Sequence, residues 1–350
     1  MDVLTYQCPQ CGAPLKFNEK TQRWDCEYCL GSFDLSVLEK EEAAKEAQSS
    51  PAPEAEAAQP EGDMREYVCP QCGAHIVTDA TTAATFCVFC QNATIFPEQL
   101  SGPFRPEKLI PFQVKKETAQ EAFKRLCRWK PLLPRDFCAP DRIEKITGVY
   151  VPFWLYDCAA NSYLTANAQR VHSWSDSRYR YTRTDHFHIE RGGVMQFQRI
   201  PADGSSKMDD ALMDSIEPYD MTKLVEYSPA YLSGFLAERY DESSENTFPR
   251  ASARIKTTVE NVLRNTISGY ASVQVTNNDV QIQQQAARNV LLPVWMLMST
   301  YRGKEYLFAM NGQTGKLVGN LPISIPKVFA WAAGIFAAVA VLLFLGGMLF

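Results

Sequence analysis

Eight cysteines, set in four Cys-x-x-Cys pairs, constrain this chain more than any other feature of its sequence. They fall into two matched stretches, YQCPQCGAPLKFNEKTQRWDCEYCLGSF and YVCPQCGAHIVTDATTAATFCVFCQNAT, which align without a gap. Each cysteine of the second copy lies 61 positions after its counterpart, pairing Cys8 with Cys69, Cys11 with Cys72, Cys26 with Cys87 and Cys29 with Cys90. Two Cys-x-x-Cys turns can bring four thiolates to one tetrahedral ion, the coordination zinc prefers. The 14 residues between Cys11 and Cys26, repeated between Cys72 and Cys87, leave room for one β-hairpin. The glycine after the second cysteine, Gly12 or Gly73, can take a positive φ and turn backbone amides toward sulfur. A redox Cys-x-x-Cys occurs singly and beside a βαβ pattern, which four pairs in two doublets do not match. The spacing therefore predicts two structural zinc ions, one on Cys8, Cys11, Cys26 and Cys29, the other on Cys69, Cys72, Cys87 and Cys90. Four sulfurs leave no position for water, so these sites supply folding energy and not hydrolysis.

The other cysteines, Cys127, Cys138 and Cys158, are scattered and read as buried small hydrophobes. A secreted disulfide scaffold would be short and would open on an apolar leader. The start here, MDVLTYQCPQ, has no such run, so the thiols are expected in a reducing, cytoplasmic compartment. The net charge is −5. Residues 1–34 carry three basic and five acidic side chains, and residues 65–98 carry one and three. A ribbon that gripped phosphates would show the reverse, which argues against nucleic acid as a partner.

The far end of the sequence is of another kind. Val328–Phe350 is 23 residues without charge or proline. As a helix it would rise about 34 Å at 1.5 Å per residue, against a hydrocarbon core of roughly 30 Å. A buried core helix would show a polar face, and this segment has none. A single-pass cell-membrane anchor over 328–350 is expected, with nothing folded beyond it. The bulk of the chain is expected in the cytoplasm, behind Lys327. Ala330, Gly334 and Ala338 recur at four-residue spacing, which permits close helix contact and a homo-oligomer through the membrane.

These features divide the chain into a zinc ribbon at 1–36, a Glu/Ala/Pro-rich flexible linker at 37–64 and a second ribbon at 65–100. A core domain at 101–326 and a transmembrane helix at 327–350 follow. The fold class is α+β, with a mainly antiparallel core. Thr118 with Glu121 suggests a capping box for a helix running to about Trp129. Ile146–Cys158 reads as a buried strand, and Tyr163–Ile200 as a meander turning at Asp176-Ser177 and Gly192-Gly193. Ser206–Ile216, Pro229–Tyr240 and Pro249–Ile267 read as helices. Residues 270–320 return to strands, with hairpins at Gly303 and at Asn311–Gly315. VYVPFWLY (149–156) and LLPVWML (291–297) share a Pro-x-Trp, consistent with two related central strands or with coincidence.

No catalytic motif is present. His186 and His188 face one side of a predicted strand beside Asp185, half a metal set with no third ligand in view. RYRYTRTDHFH (178–188) mixes Arg with Tyr, as a nucleic-acid or anionic-lipid surface does, or as the charged face of an amphipathic hairpin does. Gly312–Lys316 lacks the spacing of a phosphate loop and reads as a turn. Asp209, Asp210 and Asp214 read as a solvated helix face.

The paired CPQCGA…CxxC units resemble the zinc ribbon of transcription factor B. The whole chain resembles a family of bacterial membrane proteins described as TFIIB-type zinc ribbon-containing. The resembling stretches are LIPFQVKKETAQEAFKRLCR, ITGVYVPFWLYDC, RGGVMQFQRIPADGSSKMDDALMDSIEPYD, SPAYLSGFLAERYD and LLPVWML…FAMNGQTGKLVGNLP. That resemblance implies a membrane-attached cytosolic protein associated with phage-shock-A-like or flotillin-like (SPFH) scaffolds. The expected function is an adaptor that presents protein partners with a platform at the membrane. The rival expectations are a membrane-tethered nucleic-acid binder using the ribbons or the Arg/Tyr hairpin, and an enzyme with an unrecognised core site.

Overall fold

A computed structural model describes residues 3–48, 64–90, 92–128, 130–134, 137 and 143–349. Cys138 and linker residues 49–63 lie outside the described residues. The fold is mixed α+β with mainly antiparallel sheets, and it divides into two compact units. Met1–Val151, Lys207–Arg239 and Leu291–Phe350 make the first unit, Pro152–Ser206 and Tyr240–Val290 the second.

The first repeat forms a three-stranded antiparallel sheet of β1 (Leu15–Asn18), β2 (Arg23–Cys26) and β3 (Ser32–Phe33). Helix α1 (Leu35–Gln48) follows it. Where the sequence suggested a flexible linker from residue 37, α1 is held by the buried Leu38 and by Glu42, which accepts from Tyr6 Oη at 2.8 Å. The second repeat begins as an antiparallel pair, β4 (Met64–Val68) and β5 (His75–Asp79). Its other half, β6 (Thr82–Phe86) and β7 (Ala93–Ile95), joins a larger sheet instead.

That sheet continues with β8 (Lys108–Leu109) and, after helix α2 (Lys116–Arg128), with β9 (Thr147–Ser175) and β10 (Arg180–Asp203). Helix α3 (Asp210–Ser215), β11 (Val225–Glu226) and β12 (Leu236–Glu238) come next. Helix α4 (Ser244–Asn265), β13 (Ser272–Tyr301), β14 (Lys304–Asn311), β15 (Leu317–Gly319) and helix α5 (Ile325–Leu349) complete the chain. The strand order is β11-β8-β13-β9-β12-β6-β7, with β10 on β9 and β14 and β15 extending from β13. The two Pro-x-Trp segments thus lie on neighbouring central strands.

In the first unit an aromatic cluster fills the core. Phe112 stacks on Phe235 at 4.1 Å and meets Tyr150 and Trp295 edge-on at 5.1 and 5.0 Å. Helix α2 contributes Ala119 and Phe123, one turn apart, so one apolar stripe faces this core. Thr118 sits inside that helix, not at its cap, because α2 begins at Lys116. In the second unit Ala251, Ile255, Val259 and Leu263 recur every four residues along α4. They pack with Ala160, Ala166 and Ala168, whose small side chains let a helix settle close on the sheet.

Several local expectations give way to tertiary context. Gly192 and Gly193 do not turn the chain; they lie inside β10 opposite Tyr163 and Ser162. The turn is at Asp176, whose Oδ1 accepts from Arg178 N and Tyr179 N. The helix expected at 206–216 is cut to α3 because Asp209 caps it, accepting from Leu212 N at 2.7 Å. Pro229–Tyr240 gives one short 3-10 turn and then β12, which pairs with β9 and β6. Pairing across the sheet outweighs the helical pattern there. The Asn311–Gly315 turn forms as read, with Asn311 Oδ1 accepting from Gln313 N and Thr314 N.

Candidate metal centres

Each cysteine tetrad is assembled from two tight Cys-x-x-Cys turns. In the first repeat Cys8 O accepts from Gly12 N at 2.8 Å and Cys26 O from Leu30 N at 3.0 Å. In the second, Cys69 O accepts from Gly73 N at 2.9 Å. Gly12 and Gly73 both have φ of +73°, as their position after the second cysteine required. A Cβ at either would meet nothing within 4 Å, so backbone conformation and not space favours glycine there. Between these turns one Asx-type turn recurs in both copies. Asn18 Oδ1 accepts from Lys20 N and Thr21 N, and Asp79 Oδ1, at the equivalent position, accepts from Thr81 N and Thr82 N. The sequence reading passed over this pair, although Asn and Asp at matching positions were its signal.

The sulfurs converge. Cys8 and Cys29 Sγ lie 3.4 Å apart, Cys11 and Cys26 3.5 Å, Cys69 and Cys90 3.7 Å, and Cys72 and Cys87 3.7 Å. Within each tetrad all four ligand atoms lie within 4.8 Å of one another. A tetrahedral thiolate site with bonds of about 2.3 Å has S–S edges of about 3.8 Å. A disulfide would bring two sulfurs to about 2.05 Å. The donor sets fit a thiophilic ion held by four sulfurs. All eight cysteines named from sequence come together as two separate tetrads.

The protonation pattern agrees in both copies. The Cys29 and Tyr28 amides draw the Cys26 thiol down to about 7. The Gly31 amide also pulls on Cys29, but the Cys8 sulfur, burial and the other two thiols push it up to about 12. Burial raises Cys87, and the Cys90 and Phe89 amides outweigh it, giving about 7. Burial, together with Cys72, Cys69 and Cys87, lifts Cys90 to about 12 against the Asn92 amide. Four crowded sulfurs cannot all ionise unaided, and a divalent cation supplies the missing charge.

The remaining candidates do not assemble. His186 and His188 are exposed on β10, and among the described residues neither belongs to a cluster of three or more metal-ligating groups. His188 lies 3.5 Å from Glu190, and Asp185 is gripped by Arg183 through two bonds of 2.9 Å. Cys158 is buried, whereas Cys127 is half-buried and disulfide-bonded, not a free thiol. Helix α5 is long and apolar enough to cross a membrane, and none of its Ile325–Leu343 stretch is buried.

The uncharacterized protein YdjG of Bacillus subtilis (strain 168) is 39% identical to this chain over 333 residues, covering 95% of this chain and 94% of that one. The chain belongs to the YdjG family. Coverage of that extent is not confined to the cysteine repeats, so the YdjG relationship embraces both compact units. No protein-family model and no solved structure matches the chain.

Proposed function

We propose that this chain is a membrane-anchored adaptor of the TFIIB-type zinc-ribbon kind, each tetrad holding one zinc ion and α5 spanning the cell membrane. The observation that carries the reading is a repeated surface. The second Cys-x-x-Cys turn of each copy displays an aromatic side chain at the same position, Tyr28 at 77% exposure and Phe89 at 72%. Leu30 and Val88 beside them are 85% and 76% exposed. Exposed apolar tips on metal-stiffened turns are costly in water unless something covers them, and protein partners do so. The acidic balance of both repeats turns phosphate backbones away. On this reading the repeats face the cytoplasm and the partners are soluble proteins there, with phage-shock-A-like or flotillin-like scaffolds the first to test.

Purification of the full-length chain from native membranes tests this. Proteins recovered with wild type are expected to be lost with Tyr28→Ser/Phe89→Ser and with Cys69→Ser, while the chain stays in the membrane fraction. An unchanged set of co-purifying proteins would contradict recruitment. A second reading rests on the β9–β10 tip, where exposed Trp174, Tyr179 and Tyr181 stand among Arg178, Arg180 and Arg183. Salt-dependent RNA or DNA binding, lost when those arginines become alanine, would favour it.

A further inference from the structure

The start of α5 is tied to a basic cleft. Lys327 Nζ donates to Leu133 O at 2.5 Å, and Ser324 N donates to Leu132 O at 2.8 Å. These bonds fix the foot of the apolar helix to the segment that follows α2. Beside them lies a cleft of about 600 Å³, lined by Lys124, Arg125 and Arg128 from α2, by Lys130 and by Lys327. Among the described residues of that lining, Glu121 is the one acidic side chain. Five cations against one anion is a local inversion, because the chain as a whole carries −5.

Position gives the inversion meaning. Phe329 and Trp331, two and four residues beyond Lys327, are 72% and 53% exposed. At about 1.5 Å per residue the cleft stands within one helical turn of the first apolar side chains of α5. A helix entering a bilayer there would hold Trp331 at the interface and the cleft among the headgroups. Basic pockets at that level attract anionic lipid, and the volume suits a small polar group. A phosphate group matches this cationic lining whether it arrives on a lipid or free in solution. Only the lipid arrives tethered at this depth.

We propose that this cleft receives the phosphate-bearing headgroup of an anionic phospholipid. The proposal rests on reading α5 as a membrane anchor, and its test separates the two. The full-length chain in a neutral detergent is titrated with short-chain phosphatidylglycerol, short-chain phosphatidylcholine and glycerol 1-phosphate, with the unfolding midpoint as readout. Phosphatidylglycerol is expected to raise the midpoint by several degrees, and the other two to leave it nearly unchanged. Lys124→Gln/Lys130→Gln should weaken the phosphatidylglycerol effect at least tenfold in apparent affinity, while Lys20→Gln, outside the lining, keeps it. Equal shifts with both lipids, an equal shift with glycerol 1-phosphate, or no shift would each overturn the headgroup site. Alkaline carbonate washing of native membranes tests the anchor alone. Release of the wild-type chain would sink the anchor reading, and retention without lipid selectivity would sink only the cleft.

Discussion

The two repeats share every cysteine and the Asn18/Asp79 turn midway between the cysteine pairs, yet they are built into the first unit by different means. The first keeps a complete sheet of its own and docks through side chains. Trp24, only 1% exposed, donates from Nε1 to Ala230 O at 2.8 Å and packs against Phe17 and Tyr231. Phe17 N donates to Ser233 O at 3.1 Å. The second repeat has Thr85 and Thr78 where the first has Trp24 and Phe17, and it docks through backbone. Its β6 pairs with β12, and Lys207 bridges Asp79 and Glu238 at 2.8 and 3.3 Å. Leu4 bridges Ile95 across the two copies. Equal cysteine geometry therefore does not mean equal dependence on the tetrad. The first copy relies on its tetrad and one aromatic cluster, whereas half of the second belongs to the large sheet.

The largest expected difference comes from breaking each tetrad in turn. Structural zinc binding is worth on the order of 10 kcal/mol, so Cys11→Ser/Cys29→Ser should unfold β1–β3 and expose Trp24. Loss of amide-exchange protection across residues 15–33 and a red shift in tryptophan fluorescence would report it. Cys72→Ser/Cys90→Ser should loosen β4 and β5 but leave β6 and β7 protected in the large sheet. Equal loss of protection in both repeats would erase the distinction drawn here.

Next in size is the docking side chain itself. Trp24→Ala should cost about 3–5 kcal/mol, since it removes a fully buried ring and leaves the Ala230 carbonyl without its donor. The equivalent Thr85→Ala, at a half-buried position, should cost under about 1 kcal/mol. Denaturant unfolding of the two variants gives the ratio directly.

The smallest effects belong to the turns. Asn18→Ala and Asp79→Ala should each cost about 1 kcal/mol, because each removes the acceptor for two backbone amides. Asp79 carries an additional pH dependence. Burial alone would raise its carboxyl, but Lys207, Thr82 and Thr81 hold it down at about 2, below the ordinary 3.8. Its stabilising contribution is thus complete above about pH 4 and fades as pH falls through about 2. Both partners of the ion pair are more than a third exposed, so Asp79→Asn should cost well under 1 kcal/mol at pH 7. Melting curves of wild type and Asp79→Asn between pH 7 and pH 2 should converge only at the acid end.

How much of this was legible in the sequence follows the same division. The two four-cysteine clusters were fully legible, because paired Cys-x-x-Cys turns leave a fixed local spacing that survives any tertiary arrangement. The apolar helix was legible because hydropathy alone defines it. The docking of the first repeat was not. Trp24 meets a carbonyl 206 residues away, and nothing near Trp24 announces Ala230. The basic cleft was hidden for the same reason, since Lys327 and Leu133 lie 194 residues apart. Gly192-Gly193 misled because a Gly-Gly pair signals a turn only when neighbouring strands do not carry the chain straight through. Asp209 was read as a solvated side chain, although an aspartate ahead of a helix is as readily its cap.

The central claim is that each four-cysteine cluster holds its own zinc ion. Metal analysis of the full-length chain, paired with intact mass measured under non-denaturing conditions, tests it most directly. Two zinc ions per chain are expected in wild type, and one each in Cys11→Ser/Cys29→Ser and in Cys72→Ser/Cys90→Ser. A wild-type chain that is metal-free as purified and takes up no zinc on addition, or one that carries iron in place of zinc, would contradict it.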